Sequence, residues 1–308
     1  NEVTGESEAL VSKEEMLEKL IQEGIVYEKE IDKEKEIITI GTREIPYGEE
    51  VDKSALIMLV NSGETGEVWL PIAGEIDDST KVDWGDGVIA TGDKNIHNNK
   101  YASVTQNDSV KNKIAEIDSQ YTEHTYPEKN KDYKVTITGK CTEIYNGDKI
   151  NDNILEIIQW GETGLEYVNL EDCTKLRKIA SPTEKSFEKI TDFSRTFYGC
   201  ASLTSIPENL FANCPNVTTF QGTFWYCESL TSIPENLFAN CLNVTNFVGT
   251  FYECTGLRGE PIKLWERVPN GSTNNYIGKP NGYGCYYNAT GLNNYENIPE
   301  YWRASIEA

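Results

Sequence analysis

Histidine is almost missing from this sequence: 308 residues carry only His97 and His124. That scarcity limits histidine-based proton transfer and histidine-rich metal sites. Long apolar runs are absent too, and no window approaches the ~18 consecutive apolar residues of a spanning helix. Positive charge is in short supply. Lys plus Arg is 28 against 50 Asp plus Glu, a net charge of -22. A field of that sign repels phosphate backbones and anionic membrane surfaces, so neither nucleic-acid binding nor membrane insertion is expected. The acidity is spread along the chain without a tail of one sign, as in a soluble, self-repelling surface. There is no Gly-x-Ser-x-Gly, no phosphate-binding glycine loop and no HExxH helix. Carboxylates are plentiful simply because the chain is acidic, and no pair stands out for glycoside hydrolysis. The expectation is a protein that is not an enzyme, with no catalytic residue, cofactor or metal ligand to name.

At 38% hydrophobic and 25% charged residues the chain is slightly poor in apolar side chains but not disordered in composition. Its length leaves room for two or three domains. It opens at Asn1, without Met and in a polar stretch, which reads as a processed or trimmed product. Three segments differ in pattern: 1–53, 54–140 and 141–308.

The third segment repeats itself. Residues 193–219 read FSRTFYGCASLTSIPENLFANCPNVTT and residues 220–246 read FQGTFWYCESLTSIPENLFANCLNVTN, identical at 20 of 27 positions. A diverged copy spans 247–273 and keeps Phe247, Thr250, Phe251, Cys254, Leu257, Pro261 and Leu264 in register. An earlier one starts at Glu166, with Leu170, Cys173, Leu176 and Ile179 at the same offsets. After a Gly/Asn/Tyr-rich insertion comes an echo, in which Cys285–Leu292 matches Thr250–Leu257. One unit cannot bury its Phe, Cys, Leu, Ile and Val alone, whereas stacked copies form a continuous apolar column. Leu203-x-x-Ile206 before Pro207 reads as a brief strand, and Glu208–Cys214 as a helical turn. The expected fold class is therefore multidomain and mainly β, with 141–308 a leucine-rich-repeat solenoid of 27-residue repeats, short helical turns and an atypical C-terminal cap.

The pattern F-x-x-T-F-x-x-C-x-S-L-T-S-I-P-x-N-L-F-x-N-C-x-N-V-T resembles the BspA-like class of bacterial surface-antigen leucine-rich repeats, over roughly residues 155–308. The resemblance implies surface exposure and adhesion to host proteins or other cells.

The cysteines follow the repeat. Cys173, Cys200, Cys227 and Cys254 recur every 27 residues, Cys214 and Cys241 form a second series, and Cys141 and Cys285 stand apart. No CxxC spacing occurs, so a zinc site is not expected. Equivalent cysteines in stacked repeats read as buried core residues.

Residues 54–140 alternate apolar and polar in short runs, the pattern of half-buried strands with turn signals between them. Val82-Asp83-Trp84-Gly85-Asp86-Gly87, then His124-Thr125-Tyr126, then Tyr133-Lys134-Val135-Thr136-Ile137-Thr138 together resemble a PKD-type, immunoglobulin-like module. The resemblance implies a β-sandwich with Trp84 in its core, Asp86 stabilising a turn and His124 in the framework. The polar stretch with Asn95–Asn99 and Ser103–Ser109 departs from compact members and implies an inserted loop. A cation site from Asp77, Asp78, Asp83 and Asp86 is the rival reading, but the regular spacing of a calcium loop is absent.

Residues 1–11 read as a flexible lead. Ser12 and Glu15 form a capping-box pattern ahead of the apolar face Met16, Leu17, Leu20 and Ile21, with Gly24 as the stop. A strand is expected at Ile37–Ile40.

Candidate binding residues come from the variable positions of the repeat. Tyr198, Trp225 and Tyr252 share one position, and Tyr226 lies immediately beyond Trp225. If exposed, they form an aromatic stripe suited to anchoring a protein or a sugar; if not, they are a second buried ladder. The Tyr-rich C-terminal stretch, including Tyr276, Tyr283, Tyr286, Tyr287, Tyr295, Tyr301 and Trp302, reads as an irregular cap or as contact surface. The functional expectation is a secreted or surface-anchored bacterial adhesion protein, with an extracellular protein as partner and an anchor supplied by a segment not present here. A carbohydrate-binding surface protein is the first rival. A structural or tail-tip component that self-associates through its repeats is the second.

Overall fold

The computed structural model describes residues 31–32, 37–40 and 43–46 by their backbone, and residues 53–91, 123–146, 150–267 and 280–306 in full. The lead, the Ser12 capping box with its helix, the polar stretch containing His97, and Tyr276 lie outside the described residues. The chain divides into two compact units, 1–52 and 53–308.

The first unit contains β1 (Ile31–Asp32), β2 (Ile37–Ile40) and β3 (Arg43–Pro46), paired antiparallel in that order. The strand expected at Ile37–Ile40 is β2.

The second unit is built around a six-stranded sheet. Its strands are β4 (Leu56–Asn61), β7 (Lys81–Asp83), β8 (Ile89–Thr91), β10 (Asp132–Thr138), β12 (Ile154–Gln159) and β14 (Lys178–Ile179). Their order is β14-β12-β4-β10-β7-β8. Two smaller sheets accompany it. One has the order β13-β11-β6, from β6 (Ile72–Ala73), β11 (Glu143–Tyr145) and β13 (Tyr167–Asn169); the other pairs β5 (Glu67–Trp69) with β9 (Glu123–Thr125). Every residue of β12 is buried, as are Leu56 to Val60 of β4, so both strands are covered on both faces. One apolar core runs from Leu56 through all three sheets and the repeats to Trp302.

This corrects the expected fold class on two counts. A sandwich does not end at residue 140: β12, which the sequence places among the repeats, pairs antiparallel with β4 in the middle of the main sheet. Nor do the repeats form a leucine-rich-repeat solenoid with a strand and helical turns in each copy. Among the described residues there is no α-helix, and beyond β14 regular structure is limited to 3-10 turns at Leu264–Glu266, Tyr295–Asn297 and Glu300–Arg303. The described chain is mainly β, and the repeats are stacked turns joined by single parallel bridges, Asp192 to Thr219, Thr219 to Asn246 and Asn246 to Asn281.

In the stretch that opens each copy, the hydrogen bonds explain why neither helix nor strand forms. In the copy from Phe220, the N–H groups of Phe220, Gly222, Phe224 and Tyr226 donate to Asn246, Val248, Thr250 and Tyr252 of the next copy. The intervening N–H groups of Thr223, Trp225 and Cys227 donate back three residues, to Phe220, Gly222 and Phe224. Half of the donors thus bind the neighbour, as in a sheet, and half close local turns. Left-handed residues make the alternation possible: Gly222 and Tyr226 have φ of 62° and 59°, with counterparts in Gly249 and Glu253 at 61° and 58°.

The interior obeys the same period. Phe193, Phe220 and Phe247 stack at 5.7 and 5.8 Å between ring centroids, and Phe197, Phe224, Phe251 and Tyr286 at 5.4, 5.5 and 5.7 Å. Buried hydroxyls and thiols are absorbed by backbone carbonyls. Thr223 Oγ1 donates to the carbonyls of Phe193 and Phe220, and Cys227 Sγ to that of Phe197. All eight cysteines are buried and unpaired.

Candidate functional site: an aromatic column

Each repeat carries one side chain just after its inner apolar ring or Leu170, and the backbone ladder brings these side chains into a column. Its members are Glu171, Tyr198, Trp225, Tyr252 and, through the C-terminal echo, Tyr287. The Trp225 centroid lies 5.8 Å from that of Tyr198 and 4.2 Å from that of Tyr252, and Tyr252 stacks on Tyr287 at 4.5 Å. Tyr226 stands beside the column, edge-on to Tyr198 at 5.7 Å.

The column is not uniformly open. Tyr198, Trp225 and Tyr226 are half-buried, whereas Tyr252 is only 1% exposed. The structure therefore brings all four expected residues together, with three on the surface and Tyr252 beneath it. The side chain of Tyr252 is covered by Trp225, by Tyr287 and by Ser305, whose Oγ lies 3.3 Å from its hydroxyl.

Charge frames the open end. The Glu171 carboxylate receives both Nε and Nη2 of Arg195, and that pairing holds the guanidinium above its usual range. Arg195 in turn lies over the Tyr198 ring at 3.9 Å from its centroid. Burial pushes the Tyr198 hydroxyl upward, so it stays protonated near neutral pH. The indole Nε1 of Trp225 is enclosed with no hydrogen-bond acceptor. Such a group costs about 1–3 kcal/mol when left unsatisfied.

Sequence reasoning missed Arg195 and Tyr287 as members of this surface. Arg195 stands where later copies have Gly222, Gly249 and Gly284, so a departure from the repeat was its signal. Tyr287 was legible from the echo, which aligns it with Tyr252.

The WGDG and HTY motifs meet elsewhere, in the sheet region. Trp84 is 1% exposed, and its carbonyl accepts the Tyr126 hydroxyl at 2.7 Å. His124 stacks on Trp84 at 4.9 Å, and its Nε2 lies 2.8 Å from Asp86 Oδ2. Asp86 Oδ1 also accepts the Val88 N–H, and Asp83 Oδ1 that of Gly85. Gly85 has φ of 80°, and a Cβ there would meet the Lys134 carbonyl oxygen at 2.4 Å. Asp77 accepts both N–H and O–H of Ser79. These carboxylates are engaged in turns, and among the described residues no group of three or more His, Cys, Asp or Glu converges as a metal site. Among the same residues no helix is long and apolar enough to cross a membrane.

No protein-family model, curated protein or solved structure matches this chain.

Proposed function

We propose that this chain is a non-catalytic recognition protein that works outside a bacterial cell or on its surface, and that it binds a protein of a host or a neighbouring cell. The observation that carries the reading is the half-buried trio Tyr198, Trp225 and Tyr226, with the Trp225 indole N–H left unsatisfied. Clustered Trp and Tyr rings beside an arginine are what strong protein contacts are made of. The likeness of the repeat motif to BspA-like surface antigens, and of the WGDG and HTY motifs to PKD-type modules, supports the extracellular setting.

The test is binding of the full chain to immobilised extracellular-matrix proteins and to a glycan array. The expected result is saturable binding to a protein, weakened at least about tenfold by Trp225→Ala, equivalent to about 1.4 kcal/mol. Binding confined to glycans moves the chain to the carbohydrate-binding class. Protein binding untouched by Trp225→Ala removes the column from the reading.

A further inference from the structure

Alongside the aromatic column runs a track without side chains. Gly222, Gly249 and Gly284 occupy the same place in successive copies, with φ of 62°, 61° and 64°. Trp225 leans over the first part of the track: a Cβ on Gly249 would lie 2.8 Å from its Cε3. The last part is filled by the chain's own segment Ala304–Ile306. A Cβ on Gly284 would meet the Ala304 carbonyl oxygen and Ile306 Cγ1, each at 2.8 Å, and Ile306 Cδ1 reaches to within 3.3 Å of the Cβ position of Gly249.

The way this segment is held is unlike the rest of the stack. The backbone ladder ends at Trp302, whose carbonyl accepts the Tyr286 N–H at 2.8 Å. Beyond it, the Ser305 carbonyl accepts the Tyr283 hydroxyl at 2.8 Å, and Ser305 Oγ lies near the Tyr252 hydroxyl. Ala304, Ser305 and Ile306 are half-exposed and irregular. A β-branched side chain over glycine, a carbonyl held by a tyrosine hydroxyl and three successive half-exposed residues describe a docked peptide rather than a core element.

We propose that the Gly249–Gly284 part of this track is a seat for an extended peptide segment with an aliphatic anchor, and that Ala304–Ile306 is its resident occupant, displaced when a partner's segment binds. This rests on the reading that the partner is a protein. Displacement uncovers Tyr252 and lengthens the open aromatic surface by one repeat.

The probe is a labelled peptide with the sequence of residues 303–308, RASIEA, followed by fluorescence anisotropy against the full chain. Ile306→Asp removes the resident anchor. The expected result is binding to the Ile306→Asp chain at least about tenfold tighter than to the unmodified chain, lost again when Trp225→Ala is added. Equal binding to both chains, or none to an Ile306→Asp chain with native near-ultraviolet circular dichroism, overturns the proposal. If that variant does not fold, hydrogen exchange on the unmodified chain decides. Residues 304–306 are expected to open far more readily than 281–287, and equal protection overturns the proposal. Peptide exchange without binding to any matrix protein leaves the track standing and removes the adhesion reading; the reverse removes the track alone.

Discussion

The Trp225 and Tyr252 rings lie 4.2 Å apart, one repeat from each other, yet Trp225 is half-exposed and Tyr252 is buried. The same position of the same repeat thus serves as surface in one copy and as core in the next. The difference comes from the segment around Ser305, which covers only the second.

That contrast separates stability from binding. Tyr252→Ala empties a filled site and is expected to cost about 3–4 kcal/mol. Trp225→Ala removes a half-exposed ring whose N–H lacks an acceptor and is expected to cost about 1–2 kcal/mol. Urea denaturation of the two variants checks the order, and a larger loss for Trp225→Ala would show the column to be wrongly read.

Tyr226 adopts φ of 59°, at a position where the preceding copy has Gly199 at 69°. A non-glycine residue there costs roughly 1–2 kcal/mol. Tyr226→Gly relieves that cost while losing the contacts to Tyr198 and Trp225. The expected stability change is within about 1 kcal/mol, while partner binding falls severalfold. Thermal unfolding and the binding assay, run on the same preparation, give both numbers.

Burial raises all eight thiols, with Cys141, Cys241 and Cys285 pushed up to about 12. An unfolded thiol titrates near ~8.5. The folded state therefore holds more protons than the unfolded state above that pH, so stability is full below it and falls as pH rises. Every thiol acts in the same direction, so the losses reinforce one another as the pH rises. Cooperative base denaturation is expected between about pH 9 and 11. Iodoacetamide at about pH 8, a little below the ordinary thiol range, is expected to modify none of the thiols until denaturant is added.

His124 and Asp86 form a half-enclosed pair over Trp84. His124→Ala and Asp86→Ala are each expected to destabilise by about 1–3 kcal/mol, with a coupling of about 1 kcal/mol in a double-mutant cycle. Additive losses would mean that the contact carries no energy of its own.

Much of the interior was legible because the repeat states it. Phe197, Phe224 and Phe251, then Cys173, Cys200, Cys227 and Cys254, and Leu203, Leu230 and Leu257 each recur every 27 residues, and all are buried. The place of Trp84 in the core was expected from the resemblance that its motif carries, while that of Tyr126 was not. The local conformation was not. Pro207 and the Glu208–Cys214 segment fit a helical turn, but in the fold bonds such as Leu210 to Pro207 and Ala212 to Asn209 close isolated turns that do not propagate. Helices this short are marginal in water. The place of β12 was hidden as well. Ile154–Gln159 is apolar enough to be buried on both faces, but nothing in its own residues names β4 as its partner. In the aromatic column, the sequence aligned Tyr198, Trp225 and Tyr252, while the cover over Tyr252 includes Ser305, 53 residues further along the chain.

The pairing of β12 with β4 also sets an order of events during synthesis. Asn153 bonds Asn61 across 92 residues, and β14 completes the sheet later still. The first strand of the central sheet must therefore wait, unpaired on that edge, while the intervening chain emerges. A nascent chain arrested before residue 154 is expected to hold β4 and β10 with an open edge that is apolar from Leu56 to Val60, which makes premature termination more hazardous for this protein than loss of its last repeat.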